Sequence, residues 1–438
     1  MSKKHHIVIV GGGAGGLELA TQLGDSLGKK GLAEITLVDG TLTHFWKPLL
    51  HEVAAGTINS HIDELSYAAH ARAHYFDFRL GYMDELNRAN KTISLAATIG
   101  KNGETVIPRR SFGYDSLVIA VGSQTNDFGT KGVAKHCLFL DSQKQAQHFQ
   151  RTFLERWMIA CTQEEDLREG QLNVAIAGAG ATGVELAAEL HTAIHEMIEH
   201  GFNAGADKPI EFTIIDAADR VLPVLPEEVS ASTEKVLADL GVNVLTSEMI
   251  CEATPEGFHT QSGQFVPAEI KVWAAGIKAP EWLGQLDGLE TNRINQLVVK
   301  NTLQTSMDED IFAIGDCASC PQPNSDRPVP PRAQSAHQQA SILFKTLKRR
   351  IKGQPPVEFI YSDKGSLVNL SRYSTVGALM GNLFSKSTEV KIEGFFARMA
   401  YVSLYKMHQY ALHGLVWVLL MSLANVLTKG IKPRMKLH

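Results

Sequence analysis

Two stretches of the chain repeat one pattern of apolar and glycine positions. The apolar run His6–Val10 leads into Gly11-Gly-Gly-Ala-Gly-Gly16, and Asn173–Ala177 leads into Gly178-Ala-Gly-Ala-Thr-Gly183. A short continuous apolar run bounded by glycine reads as a strand buried on both faces, and the spacing after each glycine run turns helical. Each stretch therefore predicts a strand, a tight turn and a helix start, the opening of a βαβ unit. The fold class that follows is α/β with parallel sheets. Glu34–Val38 and Glu211–Ile215 supply a next strand for each unit, Ser116–Val121 ends in Gly122, and Ile311–Ile314 ends in Gly315-Asp316. The proline-rich stretch Cys317–Arg332 reads as a loop, with a helix starting near Arg332, because proline precedes helices but breaks their interiors. Glu358–Ser374 alternates and predicts strands of a small final sheet, and Phe395 to Leu427 predicts apolar helix.

On a helical wheel over Phe395–His413, Phe396, Met399, Ala400, Leu404, Met407, Tyr410 and Ala411 share one arc, with Arg398, Lys406, Gln409 and His413 opposite. The following run, Ala411 to Leu427, is interrupted by His413, Ser422 and Asn425 and falls short of the ~20 apolar residues that a spanning helix needs. Charge changes the picture further. From Val390 onward there are seven Lys/Arg (Lys391, Arg398, Lys406, Lys429, Lys432, Arg434, Lys436) against Glu393, a tail of +6 on a body of −11 within a chain of net −5. A basic apolar tail with Trp417 at its boundary reads as an interfacial helix pair on an anionic membrane surface. A helical hairpin packed on the core or on a partner subunit, and a true span, are the alternatives.

At 438 residues, 44% apolar and 20% charged, the chain has room for two or three globular domains. An overall charge of −5 gives no reason to expect nucleic acid. The N-terminus MSKKHHIVIV has too short an apolar run for a signal peptide, and five cysteines make no disulfide framework, so a cytoplasmic home is expected.

A GxGxxG turn lets backbone approach a pyrophosphate, whose charge then sits on the N–H groups of the following helix. Gly11, Gly13 and Gly16 form one such turn, with Asp39 ending the next strand to accept from a ribose hydroxyl. Gly178, Gly180 and Gly183 form the second, with Asp216 as its acid. An acid there disfavours a 2′-phosphate and selects NAD over NADP, a preference that the nearby Arg220 softens. Two dinucleotide sites in one chain point to FAD in one and NADH in the other. Cys317-Ala-Ser-Cys320 reads either as a redox dithiol, as half of a metal site, or as two ordinary thiols; no second CxxC or histidine cluster completes a metal set, and no metal is expected.

With these motifs in place the chain resembles the two-dinucleotide-binding-domain flavoproteins. Thr305-Ser-Met-Asp-Glu-Asp-Ile-Phe-Ala-Ile-Gly-Asp316 resembles their second FAD motif, which assigns FAD to the first glycine loop and makes the NAD domain an insertion. The disulfide reductases of that superfamily carry a redox cysteine pair, often soon after the first ribose acid, where this chain has Thr43-His-Phe-Trp-Lys-Pro-Leu-Leu-His51. The fuller resemblance, over the entire length, is to type II NADH:quinone oxidoreductases of the proteobacterial group. His44-Phe-Trp-Lys-Pro-Leu-Leu-His-Glu-Val-Ala-Ala-Gly56, Gly180-Ala-Thr-Gly-Val-Glu-Leu-Ala-Ala-Glu-Leu190, Val272-Trp-Ala-Ala-Gly-Ile277 and Ala333-Gln-Ser-Ala-His-Gln-Gln339 carry it, the last resembling that family's AQxAxQ motif.

The resemblance implies two Rossmann-like domains and a C-terminal membrane-binding region: an FAD domain over 1–125 and 299–350, an inserted NAD domain over 126–298, and a small sheet with anchoring helices over 351–438. It implies an FAD site at Gly11, Gly12, Gly13, Ala14, Gly15, Gly16, Asp39, Lys47, Pro48, Met83, Gly122, Gly315, Asp316, Ala333 and Gln334. The NAD site it implies is Gly178, Gly180, Thr182, Gly183, Glu185, Asp216, Ala275 and Gly276. Glu185 matches a glutamate near nicotinamide and flavin, although a first-turn acid favoured by the helix dipole reads equally well. Gln334 and Gln338 match the polar wall of a quinone pocket, against the alternative of a solvated helix face, and Lys364 stands where a quinone-proximal base is found. The implied reaction passes hydride from NADH to FAD and reduces membrane quinone to quinol without proton pumping, on the cytoplasmic face of the cell membrane. A soluble ferredoxin-type reductase and a non-turning-over NADH sensor are the rival classes. Neither the identity of the quinone nor the presence of a homodimer is written in these residues.

Overall fold

The computed structural model describes residues 4–59, 64–202, 210–323, 325–371, 373–380 and 389–428. The chain divides into two compact units, the first formed by 1–46, 63–124 and 277–362, the second by 47–62, 125–276 and 363–438. In the first unit the strand His5–Val10 lies at the centre of a five-stranded sheet. Its order is Ile311–Ala313, Ser116–Ile119, His5–Val10, Ala33–Asp39 and Asp77–Leu80. Every pairing is parallel. Ile7, Val8 and Ile9 are wholly buried, as the unbroken apolar run requires of a strand covered on both faces. The helix Ala14–Leu23 follows the glycine turn and packs on the helix Ala333–Arg350.

The second unit repeats the theme with a four-stranded parallel sheet, in the order Val242–Leu245, Phe212–Ile215, Val174–Ala177 and Ile270–Trp273. The helix Ala181–Glu199 leaves its glycine turn and packs on both the short helix Leu50–Ala55 and the strand Ser366–Leu370. The borders between these units fall after residues 46, 62, 124, 276 and 362. Residues 277–298 stay with the first unit because Leu297–Val298 pairs with Ala318–Ser319 and Gln296 Nε2 donates to the Asp316 carbonyl at 2.9 Å. Residues 47–62 join the second unit because Leu50–Ala55 packs on Gln143–Thr162 and Ala181–Glu199.

The small final sheet lies later than expected, at Ser366–Leu370, Ser374–Met380 and Glu389–Glu393. Residues 358–365 form no strand. Residues 357–362 are strapped along the first unit instead: the N–H of Val357 donates to Thr346 Oγ1, that of Phe359 to the Asn301 carbonyl, and Phe359 is buried.

The helical tail Gly394–Thr428 breaks at Gly414, whose φ of 77° and ψ of 169° end one helix and begin another, giving the expected pair. Met399, Leu404, Met407 and Tyr410 of the apolar arc face outward, while Ala397, His408, Gln409 and Leu412 are buried. Gln409 thus sits inside, contrary to the wheel, because this helix packs on the final sheet with the less apolar of its faces. The side chains of Phe395 and Phe396, and residues 429–438 with four of the tail's basic groups, lie outside the described residues.

Candidate functional site

In the first unit, Gly11 has a φ of +105° and lies so close to the Ala120 carbonyl that a Cβ there would come within 2.3 Å of it. A side chain at Gly16 would meet the Gly11 carbonyl at 1.9 Å, so the first and last glycines are dictated by the turn itself. Gly13 differs: nothing lies within 4 Å of where its Cβ would project, and it caps the helix Ala14–Leu23 without a side-chain hydrogen bond. That open space above uncapped N–H groups is what a pyrophosphate needs. Asp39 ends its strand beside the loop, with Oδ2 accepting from the Gly12 N–H at 2.7 Å and Oδ1 from Thr41. Behind the loop, Tyr67 Oη donates to the Gly12 carbonyl at 2.7 Å and His44 Nδ1 lies 2.9 Å from the same oxygen.

The second FAD-type segment is held from several directions. Ser123 Oγ, beside Gly122, donates to Asp316 Oδ2 at 2.8 Å. The Gly315 N–H donates to Gln339 Oε1 at 2.7 Å. Gln339 is almost wholly buried, and the helix that carries it starts at Ala333 with no side-chain cap. Gln334 is half-buried in the first turn. Gln338 is not on a free solvated face: its Nε2 donates to the Ser362 carbonyl at 2.8 Å, and the Ser362 N–H donates back to Oε1 at 3.1 Å. Met83 is buried in the same unit. Cys317 and Cys320 are both buried, and burial pushes each thiol up to about 12, so neither is a thiolate at neutral pH.

In the second unit Gly178, at φ +107°, and Gly183 repeat the close approach, and Gly180 again faces open space. Asp216 Oδ2 accepts from the Ala179 N–H at 2.5 Å and Oδ1 from Ala218 at 2.8 Å, fixing the carboxylate at the mouth of the loop. Thr182 is exposed in the first turn, and Ala275 and Gly276 follow the strand Ile270–Trp273. Arg220 donates from Nη2 to the Pro223 carbonyl at 3.1 Å. Lys47 and Pro48 form a single helical turn in this unit, with Lys47 Nζ 4.0 Å from Asp141, and Lys364 is exposed.

Glu185 lies in the second turn of its helix, so the first-turn dipole explanation does not apply to it. It is buried among other acids. Oε1 accepts from the Asn369 N–H at 3.0 Å, and Oε2 is 3.6 Å from His51 Nδ1. Glu52 and Glu189 stand beside His51, with one ligating atom of each of the three within 4.8 Å of the others. Thr57 Oγ1 donates to Glu189 Oε2 at 3.2 Å. Burial first, then the charges of Glu52 and Glu189, raise the Glu185 carboxyl to about 8, against the opposing Asn369 N–H. Burial lowers His51 to about 4. The separation of 3.6 Å suggests an ion pair, but both groups are neutral at pH 7, and burial decides between the two readings. Tyr401 from the tail helix is held far above its ordinary value by burial and by Glu185, Glu52 and Glu189, and stays protonated.

Residues 5–340 match the pyridine nucleotide-disulphide oxidoreductase family. A protein of Haemophilus influenzae named type II NADH:quinone oxidoreductase is 46% identical, over 99% of this chain and 100% of that one. The chain belongs to the type II NADH:quinone oxidoreductase family. A Staphylococcus aureus protein of the same name is 28% identical over 86% of this chain and 90% of its own. The solved structure of NDH2 from Plasmodium falciparum in complex with NADH has the same fold, with a TM-score of 0.81 at 21% identity over 99% of this chain and 100% of that one. In this member of the type II family each glycine loop joins a parallel strand to a helix, with an acid at the end of the next strand. The residues without a role assigned from sequence are Tyr67, His44, Ser123, Gln339, His51, Glu52, Glu189 and Tyr401. Glu189 had a signal, an acid four residues after Glu185 in the otherwise apolar stretch Val184–Leu190; Tyr67 and Tyr401 had none, because only the tertiary fold brings them in.

Proposed function

We propose that the protein is an FAD-dependent enzyme that oxidises NADH and reduces a membrane quinone to quinol without pumping protons. The observation that carries this reading is the pair of open glycine cradles, one in each unit, each with an aspartate fixed at its mouth. FAD belongs to the first, where Asp316 and Gly315 complete the cradle, and NADH to the second. The same reading makes the first unit the FAD domain and the parallel sheet of the second the NAD domain. FAD, when bound, supplies a two-electron carrier between nicotinamide and quinone. The Haemophilus influenzae relative is named for this activity, and the Plasmodium falciparum structure contains NADH.

The chain's own residues divide the remaining work. The start of Ala333–Arg350, which has no side-chain cap, offers positive potential for charge on a bound cofactor. Gln338 fixes the backbone before Lys364 through its two hydrogen bonds to Ser362. Glu185 holds a proton at neutral pH, and the reduction of a quinone to quinol consumes protons; we assign Glu185 as a proton donor for that step.

No helix among the described residues is long and apolar enough to cross a membrane. Leu415, Val416, Trp417, Leu419, Leu420, Leu423 and Leu427 are all exposed on the second tail helix, with Trp417 62% accessible. An apolar face of this size on a basic tail fits peripheral insertion into the anionic cytoplasmic leaflet, where the isoprenoid quinone resides. Turnover of NADH by the purified holoprotein with a short-chain quinone tests the activity; NADH oxidation that does not depend on quinone overturns it.

A further inference from the structure

We infer that Glu248 is a second specificity-determining acid for NADH, one that excludes the 2′-phosphate of NADPH from the adenosine end of the nucleotide site. The inference rests on the reading of the second glycine loop as the NADH site. Its starting point is a cavity of about 450 Å³ lined by Ala217, Ser247, Glu248, Met249, Gln261 and Ser262. Ala217 directly follows Asp216, so the cavity opens beside the acid that takes the ribose. The loop carrying Glu248 is zipped onto that acid's own loop. The Ser247 N–H donates to the Ala218 carbonyl at 2.7 Å, and the Glu248 N–H donates to the Asp216 carbonyl at 3.0 Å. Ser247 takes a φ of 56°, a conformation uncommon outside glycine, and this turn directs the chain back into the cavity wall. The carboxylate of Glu248 is then fixed there, because Ser262 Oγ donates to its Oε2 at 3.0 Å and Thr260 Oγ1 lies 3.0 Å from Ser262 Oγ.

Chemistry then sets the selectivity. A ribose 2′-hydroxyl can donate to Asp216, whereas a 2′-phosphate donates nothing and carries about −1.5 to −2 at pH 7. Among the described residues that line the cavity, Glu248 alone is charged, and it is negative. Arg220 is not among the lining residues; its Nη2 donates to the Pro223 carbonyl at 3.1 Å and its Nη1 is buried. NADPH would therefore bring a dianion beside Asp216 toward a neighbouring cavity whose one charged lining residue is the Glu248 carboxylate, with no lysine or arginine among the described lining residues to meet it. Glu248 is thus the repulsive element that complements the attractive role of Asp216.

The test compares kcat/KM for NADH and NADPH in the flavin-loaded holoenzyme, for the wild type, Glu248→Gln, Glu248→Lys and Asp216→Ala, at low and high ionic strength. Glu248→Gln keeps an acceptor for Ser262 and removes only the charge. It is expected to raise the NADPH-to-NADH ratio roughly 5- to 20-fold at low salt, the effect of removing one partly screened like charge, and Glu248→Lys to raise it further. In the wild type the ratio should climb with added salt, and in Glu248→Gln it should climb less steeply, since only the Asp216 charge remains to be screened. A ratio that stays within about twofold in both Glu248 variants while Asp216→Ala shifts it overturns the role of Glu248 and leaves the site assignment standing. A ratio unmoved in all three variants, with an unchanged KM for NADH in Asp216→Ala, overturns the site assignment and this inference with it.

Discussion

Replacing Glu185 by glutamine should change how the stability of the protein depends on pH, and by an amount that follows from burial. The folded-state carboxyl titrates at about 8 against an ordinary value of 4.5, so ionising it inside the fold costs roughly 5 kcal/mol at about 1.4 kcal/mol per pH unit. The sign follows from proton counting. Below pH 4.5 both the folded and the unfolded chain hold the proton, and Glu185 contributes no pH dependence. Between 4.5 and 8 the unfolded chain has released the proton that the folded chain retains, so wild-type stability falls as pH rises. Above 8 both are ionised and the loss is complete. A glutamine at this position never ionises, yet its amide oxygen still accepts from the Asn369 N–H, so the variant has no such loss. For a chain of this length 1 kcal/mol moves Tm by about 1 °C, which predicts a wild-type Tm that drops relative to Glu185→Gln by about 5 °C between pH 4.5 and 8. Flavin fluorescence during thermal unfolding measures it. The same proton predicts a quinone-reduction rate that declines above about pH 8 in the wild type and is low and flat in the variant. Parallel Tm curves across that range would show that Glu185 is ionised in the fold, and the proton-donor role would go with it.

Gln338→Leu breaks both hydrogen bonds to Ser362; stopped-flow should find the quinone half-reaction slowed about tenfold or more, with bleaching of flavin by NADH nearly intact. Tyr67→Phe removes the donor to the Gly12 carbonyl behind the first glycine loop and should weaken FAD retention about 5- to 10-fold in equilibrium dialysis, with Gly12 otherwise unmoved. Deleting the chain from Gly414 onward should yield flavin-loaded protein that co-sediments much more weakly with anionic vesicles, since the outward apolar residues of the second tail helix go while the buried Ala397, His408 and Leu412 stay. Full-length protein should resist release by high salt, because the apolar share of binding is insensitive to salt, and should be freed by detergent.

What the chain revealed before folding was the part governed by local rules. Gly11, Gly16, Gly178 and Gly183 are set by turns that admit no side chain, so their spacing marks both cradles directly. Asp39 and Asp216 end strands whose apolar runs are unmistakable, and Gly414 breaks the tail directly after the stretch Phe395–His413 set on the wheel. The buried acid cluster was less legible. Glu185 was visible, and Glu189 lies one turn along the same helix, but His51, Glu52 and Tyr401 join them from segments far apart in sequence. The stretch 358–365 alternates like a strand, yet its hydrogen bonds go to Gln338 and Asn301, and no periodicity encodes that. Gln338 matched a motif for its chemistry, whereas its amide is spent on holding backbone. The outward turn of the tail's apolar face was implicit in its composition, but which polar residue it would bury, Gln409, depended on the sheet beneath.

The most direct test of the central claim is the absorption spectrum of the purified full-length protein through one reaction cycle without oxygen. The protein as isolated, or after reconstitution with FAD, should show an oxidised flavin band; one equivalent of NADH should bleach it, and a short-chain quinone should then restore it, with quinol formed in equal amount. Absence of any flavin band after reconstitution, or a band that NADH bleaches and quinone fails to restore, would contradict an enzyme that carries electrons from NADH to quinone.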